Sequence, residues 1–87
     1  MKTYFITGGC GFIGSNFIHY LIENQLAGRI INLDKLTYAG NSGNLSRIED
    51  NGSYHFIKGD ISNQEVVRSI LEKYKPNVIV NFAAESH

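Results

Sequence analysis

Two hydrophobic rhythms alternate along the chain. Tyr4-Phe5-Ile6-Thr7, Arg29-Ile30-Ile31-Asn32-Leu33-Asp34, Tyr54-His55-Phe56-Ile57-Lys58 and Asn77 through Phe82 are short runs rich in aromatic and β-branched residues, and each predicts a strand. Tyr4-Phe5-Ile6 and Val78-Ile79-Val80 are continuously apolar, as in strands covered on both faces. Between the strands, apolar residues recur at helical spacing. Ile13, Phe17, Ile18, Leu21 and Ile22 mark one helix, and Val66, Val67, Ile70, Leu71 and Tyr74 mark another. Gly28 is expected to close the first helix or its following turn. Ser62-Asn63-Gln64-Glu65 reads as a capping box with Ser62 as the N-cap, and Pro76 ends the second helix. From Lys35 to Ser53 the chain is rich in Gly, Asn, Ser and Asp, with Leu45 and Ile48 at helical spacing, which predicts a loop, one or two helical turns and a second loop.

This alternation predicts an α/β fold with a parallel sheet ordered 3-2-1-4 and flanking helices. The chemistry gathers at the carboxyl ends of its strands, the edge at which open α/β sheets bind ligands. The first strand runs straight into Gly8-Gly9-Cys10-Gly11-Phe12-Ile13-Gly14 and then a helix. Glycines there remove Cβ atoms that would block a close ligand, and a helix start presents backbone N–H groups and the positive end of a dipole, which suits a dinucleotide pyrophosphate. The motif parses as Gly9-x-Gly11-x-x-Gly14 or as Gly8-x-x-Gly11-x-x-Gly14. The second fits better, and with Thr7 before it and Phe12-Ile13 inside it, the stretch resembles the extended short-chain dehydrogenase/reductase superfamily.

Asp34 follows Gly14 by about 20 residues, the spacing at which a carboxylate ending the second strand accepts hydrogen bonds from the adenosine ribose. That favours NAD over NADP, whose 2′-phosphate would meet a like charge, although Lys35 stands next to it. A strand-end turn is the alternative reading of Asp34. After the third strand, Asp60 and Ile61 are placed to meet adenine, with a Gly-Asp turn as the alternative. Ala83 and Ala84, after the fourth strand, are small where backbone must approach the cofactor, or else are ordinary strand-end packing.

Composition narrows the setting. With 43% hydrophobic and 18% charged residues, and eight basic against eight acidic, nothing draws this chain to nucleic acid or to a membrane surface. Its single cysteine, Cys10, reads as a small buried loop residue rather than a nucleophile, and fits a reducing cytoplasm. No metal-ligand spacing occurs, and the start of the chain lacks the apolar core of a signal peptide.

Asp34-Lys35-Leu36-Thr37-Tyr38-Ala39-Gly40-Asn41, Gly59-Asp60-Ile61 and Ala83-Ala84-Glu85-Ser86-His87 together resemble the dTDP-glucose 4,6-dehydratases, nucleotide-sugar enzymes of that superfamily. Ser42-Gly43-Asn44-Leu45 departs from the usual run after Gly-Asn. The resemblance implies that residues 1–87 are the N-terminal part of an NAD-binding Rossmann domain, a partial Rossmann fold whose remainder and substrate domain lie further along. It assigns Gly8, Gly11, Phe12, Ile13 and Gly14 to the pyrophosphate, Asp34, Lys35, Leu36 and Thr37 to adenosine, and Asp60 and Ile61 to adenine. Phe82, Ala83, Ala84, Glu85 and Ser86 fall on the nicotinamide side, with Ser86 also approaching the sugar nucleotide.

The implied enzyme, a cytoplasmic homodimer at full length, takes a hydride from the sugar C4 onto NAD⁺, eliminates water across C5 and C6, and returns the hydride to C6. Its catalytic Tyr-x-x-x-Lys and Asp-Glu pairs are expected after His87; Tyr74-Lys75-Pro76 has the wrong spacing. The competing expectations are a non-catalytic NAD-binding module and the NAD-binding part of a nucleotide-sugar epimerase.

Overall fold

The computed structural model describes residues 1–35, 45, 46, 48 and 50–82. Its elements run β1 (Lys2–Thr7), α1 (Phe12–Glu23), β2 (Ala27–Asp34), β3 (Tyr54–Lys58), α2 (Gln64–Tyr74) and β4 (Val78–Asn81). All strand pairings are parallel and the order is β3-β2-β1-β4, as the alternating pattern predicts. The chain steps one way from β1 to β2 to β3, then returns past both to β4. Right-handed crossovers taken in opposite directions place α1 and α2 on opposite faces of the sheet.

The core divides accordingly. On one face Ile6 and Ile30 pack with Ile18 and Leu21 of α1, together with Leu45, Ile48 and Tyr54. On the other, Phe5, Ile31 and Leu33 pack with Ile70 of α2. Neighbours in sequence, Phe5 with Ile6 and Ile30 with Ile31, thus go to opposite faces, which is why these strands are apolar without alternation.

Local differences from the sequence reading have physical causes. Gly28 does not close α1; it lies within β2. The helix ends instead on Gln25 at φ 54, with Leu26 N–H donating to Leu21 O and Gln25 N–H to Ile22 O. That is a Schellman cap built without glycine. Ile13 does not join the buried stripe, being 68% exposed, and Leu71 stands at the edge of the α2 stripe at 38%. β2 starts two residues earlier than Arg29, and β4 is trimmed to Val78–Asn81.

Asn63, not Ser62, caps α2. Its side chain accepts from Glu65 N–H at 3.0 Å and Val66 N–H at 3.3 Å, while Ser62 N–H donates to Asp60 Oδ1. Asn63→Ala should therefore lower stability by about 1 kcal/mol in urea unfolding, whereas Ser62→Ala should change it by far less.

Candidate functional site

At the carboxyl edge of β1, two neighbouring strands leave in opposite directions, β2 on one side and β4 on the other. This topological switch point is where an open α/β sheet leaves a crevice. Thr7 hydroxyl donates to Asn81 Oδ1 at 2.5 Å and Phe82 N–H donates to Thr7 O at 2.7 Å, which fixes the β1 and β4 ends side by side. The glycine loop crosses between them and β2.

Its glycines serve different ends. Gly8 sits at φ 73, a left-handed conformation that other residues adopt at a cost in strain. A Cβ on Gly14 would lie 2.4 Å from Gly8 O and 2.8 Å from Gly9 Cα, so the first helical turn packs directly on the loop backbone. Gly9, treated as variable in the better-fitting parse, has no more room: its Cβ would lie 2.4 Å from Asn32 Oδ1. Gly11 is the exception. A Cβ there meets only Gly8 O, at 3.6 Å, so nothing in the described protein requires glycine and the space above it is open.

The loop N–H groups are divided in the same way. Gly8 N–H donates to Leu33 O, Gly9 N–H to Asn32 Oδ1, Cys10 N–H to Asp34 Oδ2 and Gly11 N–H to Gly8 O. All four are engaged within the protein. Gly11 is the N-cap of α1 and supplies no side-chain cap. The first N–H groups of a helix have no acceptor within it, so those of Phe12 and Ile13 face out of the helix end. The side chains beside them are 80% and 68% exposed, unusual for Phe and Ile and suited to a surface that meets a ligand.

Asp34 ends β2 against this loop, one carboxylate oxygen 2.8 Å from Cys10 N. Lys35, next along the chain, pairs with Asp60 at 3.2 Å, both side chains being exposed. Asp60 also accepts from Ser62 N–H; that bond first, and Lys35 after it, holds its carboxyl below the usual carboxylate range. The Gly-Asp turn is therefore present, and the ion pair adds Lys35 to the same edge. Ile61 is 38% exposed beside it. The Phe82 ring lies against that of Phe17 on the α1 face, centroids 5.5 Å apart and planes tilted by 56°. Leu36, Thr37, Ala83, Ala84, Glu85 and Ser86 lie outside the described residues.

Cys10 is fully buried, and burial, followed by the negative charge of Asp34, pushes its thiol up from 9.0 to about 11. The helix end does not activate it. The folded state holds this proton more tightly than the unfolded one, so below about pH 9 stability is complete and it falls as pH rises through about 11. Iodoacetamide at pH 8 should leave the folded protein unmodified and label Cys10 once it is unfolded.

Sequence reasoning missed Asn32 and Tyr54. Asn32 is fully buried among Ile30, Ile31 and Leu33, and its Nδ2 donates to Tyr54 Oη at 3.0 Å. The signal was available: a carboxamide inside an apolar strand must find partners. A Tyr-x-x-x-Lys spacing also occurs, at Tyr54 and Lys58, contrary to the expectation that it lies wholly beyond His87. It falls on β3, where four residues extend over roughly 13 Å rather than one helical turn, and the Tyr54 hydroxyl is turned onto Asn32. It is not a catalytic pair.

Among the described residues, no helix is long and apolar enough to cross a membrane and no cluster of side chains is suited to a metal ion. The chain is 45% identical over all 87 residues to the dTDP-glucose 4,6-dehydratase of Xanthomonas campestris pv. campestris, covering 24% of that protein. It thus spans about a quarter of the length of such curated relatives. The crystal structure of dTDP-glucose 4,6-dehydratase from Bacillus anthracis in complex with NAD matches at TM-score 0.92 and 45% identity, over 98% of this chain and 27% of that one. The UDP-Glc/GlcNAc 4-epimerase of Campylobacter jejuni is further away, with TM-score 0.84 and 26% identity over 100% of this chain and 26% of its own. Residues 5–87 match the family model described as GDP-mannose 4,6 dehydratase, and the chain belongs to that family.

Proposed function

We propose that residues 1–87 are the N-terminal part of an NAD-binding Rossmann domain in a dTDP-glucose 4,6-dehydratase. The observation that carries the reading is the 2.8 Å bond from Cys10 N–H to Asp34 Oδ2, which sets a ribose-reading carboxylate directly beside a phosphate-binding helix end. The residues present fit the cofactor: the space over Gly11 is open, and Gly11 leaves the start of α1 uncapped. Phe12 and Ile13 would donate their N–H groups to the pyrophosphate and lay apolar side chains along it. Asp34 would accept from the ribose hydroxyls, with Lys35, Leu36 and Thr37 beside it. Asp60 and Ile61 would meet adenine, and Phe82 through Ser86 would lie on the nicotinamide side.

The chemistry that NAD supplies when bound is storage of the hydride that leaves the sugar C4 and returns at C6. This stretch contributes binding and orientation to that cycle, while the acid and base residues come from beyond it. Ser86 is the position proposed to approach the dTDP-sugar, and the full-length enzyme is proposed to be a cytoplasmic homodimer. A dehydratase is favoured over an epimerase because the dehydratases of Xanthomonas campestris and Bacillus anthracis are 45% identical to this chain and the Campylobacter epimerase 26%.

The test is incubation of the full-length protein with dTDP-glucose, followed by chromatographic separation of the nucleotide sugars and mass spectrometry of each. A 4-keto-6-deoxy product one water lighter than the substrate is expected. An isomer of unchanged mass would indicate epimerisation, and unchanged dTDP-glucose would overturn the proposal.

A further inference from the structure

We infer that Asn32 is a positioning residue for the glycine loop and that the Tyr54 hydroxyl holds it in the working orientation. A carboxamide with no exposure costs several bonds to water, and it is found in such a place only when its polar atoms are matched. Asn32 is matched at both ends. Oδ1 accepts from Gly9 N–H at 2.9 Å, while Nδ2 donates to Tyr54 Oη at 3.0 Å and, more weakly, to Cys10 Sγ at 3.4 Å. The orientation is set by chemistry, because an N–H such as that of Gly9 accepts nothing and can face only the oxygen of the amide. Tyr54 and Cys10 then stand on the donor side.

The period of the strand gives this contact its effect. Asn32 and Asp34 are two residues apart on β2 and therefore on one face, where they take the consecutive N–H groups of Gly9 and Cys10. Leu33 O, between them, takes Gly8 N–H. Three successive loop donors are thus matched to three successive β2 residues, and Phe12 begins the next set, aimed outward. The match is tight, since a Cβ on Gly9 would lie 2.6 Å from the Asn32 carboxamide carbon as well as 2.4 Å from its oxygen. Losing the Asn32 acceptor releases Gly9 and lets the loop drift, which misaims the Phe12 and Ile13 N–H groups. Tyr54 extends the support to β3, whose residue register places it opposite Ile30. Asn32 touches no ligand in this arrangement; it acts through Gly9.

This inference rests on the proposed NAD site, and the experiment separates the two. NAD affinity would be measured by calorimetric titration on cofactor-stripped full-length protein, for the unaltered chain and for Asn32→Ala, Tyr54→Phe and Ile31→Ala. The last is a core truncation on the opposite face of the sheet. Asn32→Ala is expected to weaken NAD about tenfold or more, and Tyr54→Phe several-fold, with a melting temperature lowered by a few degrees because Asn32 Nδ2 loses its stronger acceptor. Turnover of dTDP-glucose at saturating NAD should stay within about twofold in both, since the lost contact acts on cofactor binding. Ile31→Ala should lower the melting temperature without a matching loss of NAD affinity. If Asn32→Ala does not fold, Tyr54→Phe, which keeps the ring, carries the test. NAD affinity within about twofold of the unaltered protein in every folded variant of Asn32 and Tyr54 would overturn the inference and leave the NAD site standing. So would an equal loss in Ile31→Ala. An unaltered protein that binds no NAD would overturn both.

Discussion

Gly14→Ala is expected to lower stability sharply. The new methyl would lie 2.4 Å from Gly8 O and 2.8 Å from Gly9 Cα, and both are backbone atoms of a loop already held by β2. Neither can move aside as a flexible side chain would. Overpacking of this kind destabilises by about 3 kcal/mol or more when the obstacle is rigid, a large fraction of a typical domain's margin. Gly11→Ala should behave differently. Its methyl would meet only Gly8 O at an ordinary 3.6 Å, so the melting temperature should barely change. NAD affinity should fall, because the methyl occupies the space proposed for the pyrophosphate. Melting curves and NAD titrations of the two variants side by side check this. Equal stability losses would show that the glycines share one structural role, and an unchanged NAD affinity in Gly11→Ala would show that the ligand does not pass over that residue.

Asp34→Asn is expected to keep the loop and lose the cofactor preference. An asparagine at 34 still offers one oxygen to Cys10 N–H, so the contact from β2 to the loop survives. The charge does not. Hydrogen bonds from the ribose hydroxyls to a carboxylate contribute about 1.5–3 kcal/mol, so NAD should bind about tenfold to a hundredfold more weakly. NADP should lose little or gain, because its 2′-phosphate no longer faces a like charge. Lys35 does not cancel the effect beforehand, since its ammonium is drawn toward Asp60 at 3.2 Å. Being exposed, that ion pair is weak, and Asp60→Asn should release Lys35 with little change in stability. Parallel titration with NAD and NADP reads the ratio directly. A ratio unchanged by Asp34→Asn would leave Asp34 with only its bond to the loop.

The outline of this protein is legible in its sequence because strand and helix obey different hydrophobic periods. Tyr4-Phe5-Ile6 and Ile30-Ile31 lie on both faces of the sheet, and Ile18, Leu21 and Ile70 face it from the helices. Strand order follows, since right-handed connections permit few arrangements. The details that escaped are those in which a less common residue does a common task. Gln25 takes the left-handed position usually left to glycine because three backbone bonds close the end of α1 around it. Asn63 and Ser62 are adjacent and both able to cap, and only the Asp60 turn, which engages Ser62 N–H, decides between them.

The site divides along the same line. Gly8, Gly14 and Asp34 are picked out by type and spacing, the two glycines because backbone geometry requires them and Asp34 because of its charge, while Gly11 meets no such requirement within the described protein. Asn32 gives only an indirect signal, since its partners Gly9, Cys10 and Tyr54 are brought together by the pairing of three elements far apart in sequence. Tyr54 was hidden for a related reason. With Lys58 it has the spacing of a catalytic pair on a helix, and only its place on β3 separates the two groups.

The most direct test of the account is a crystal structure of the full-length protein with NAD. The account predicts pyrophosphate oxygens within about 3 Å of the Phe12 and Ile13 amide nitrogens, the Asp34 carboxylate on the ribose hydroxyls, and the bonds from β2 to Gly8, Gly9 and Cys10 unchanged. A pyrophosphate held by the N–H groups of Gly9 and Cys10, with Asn32 and Asp34 displaced from the loop, would contradict it.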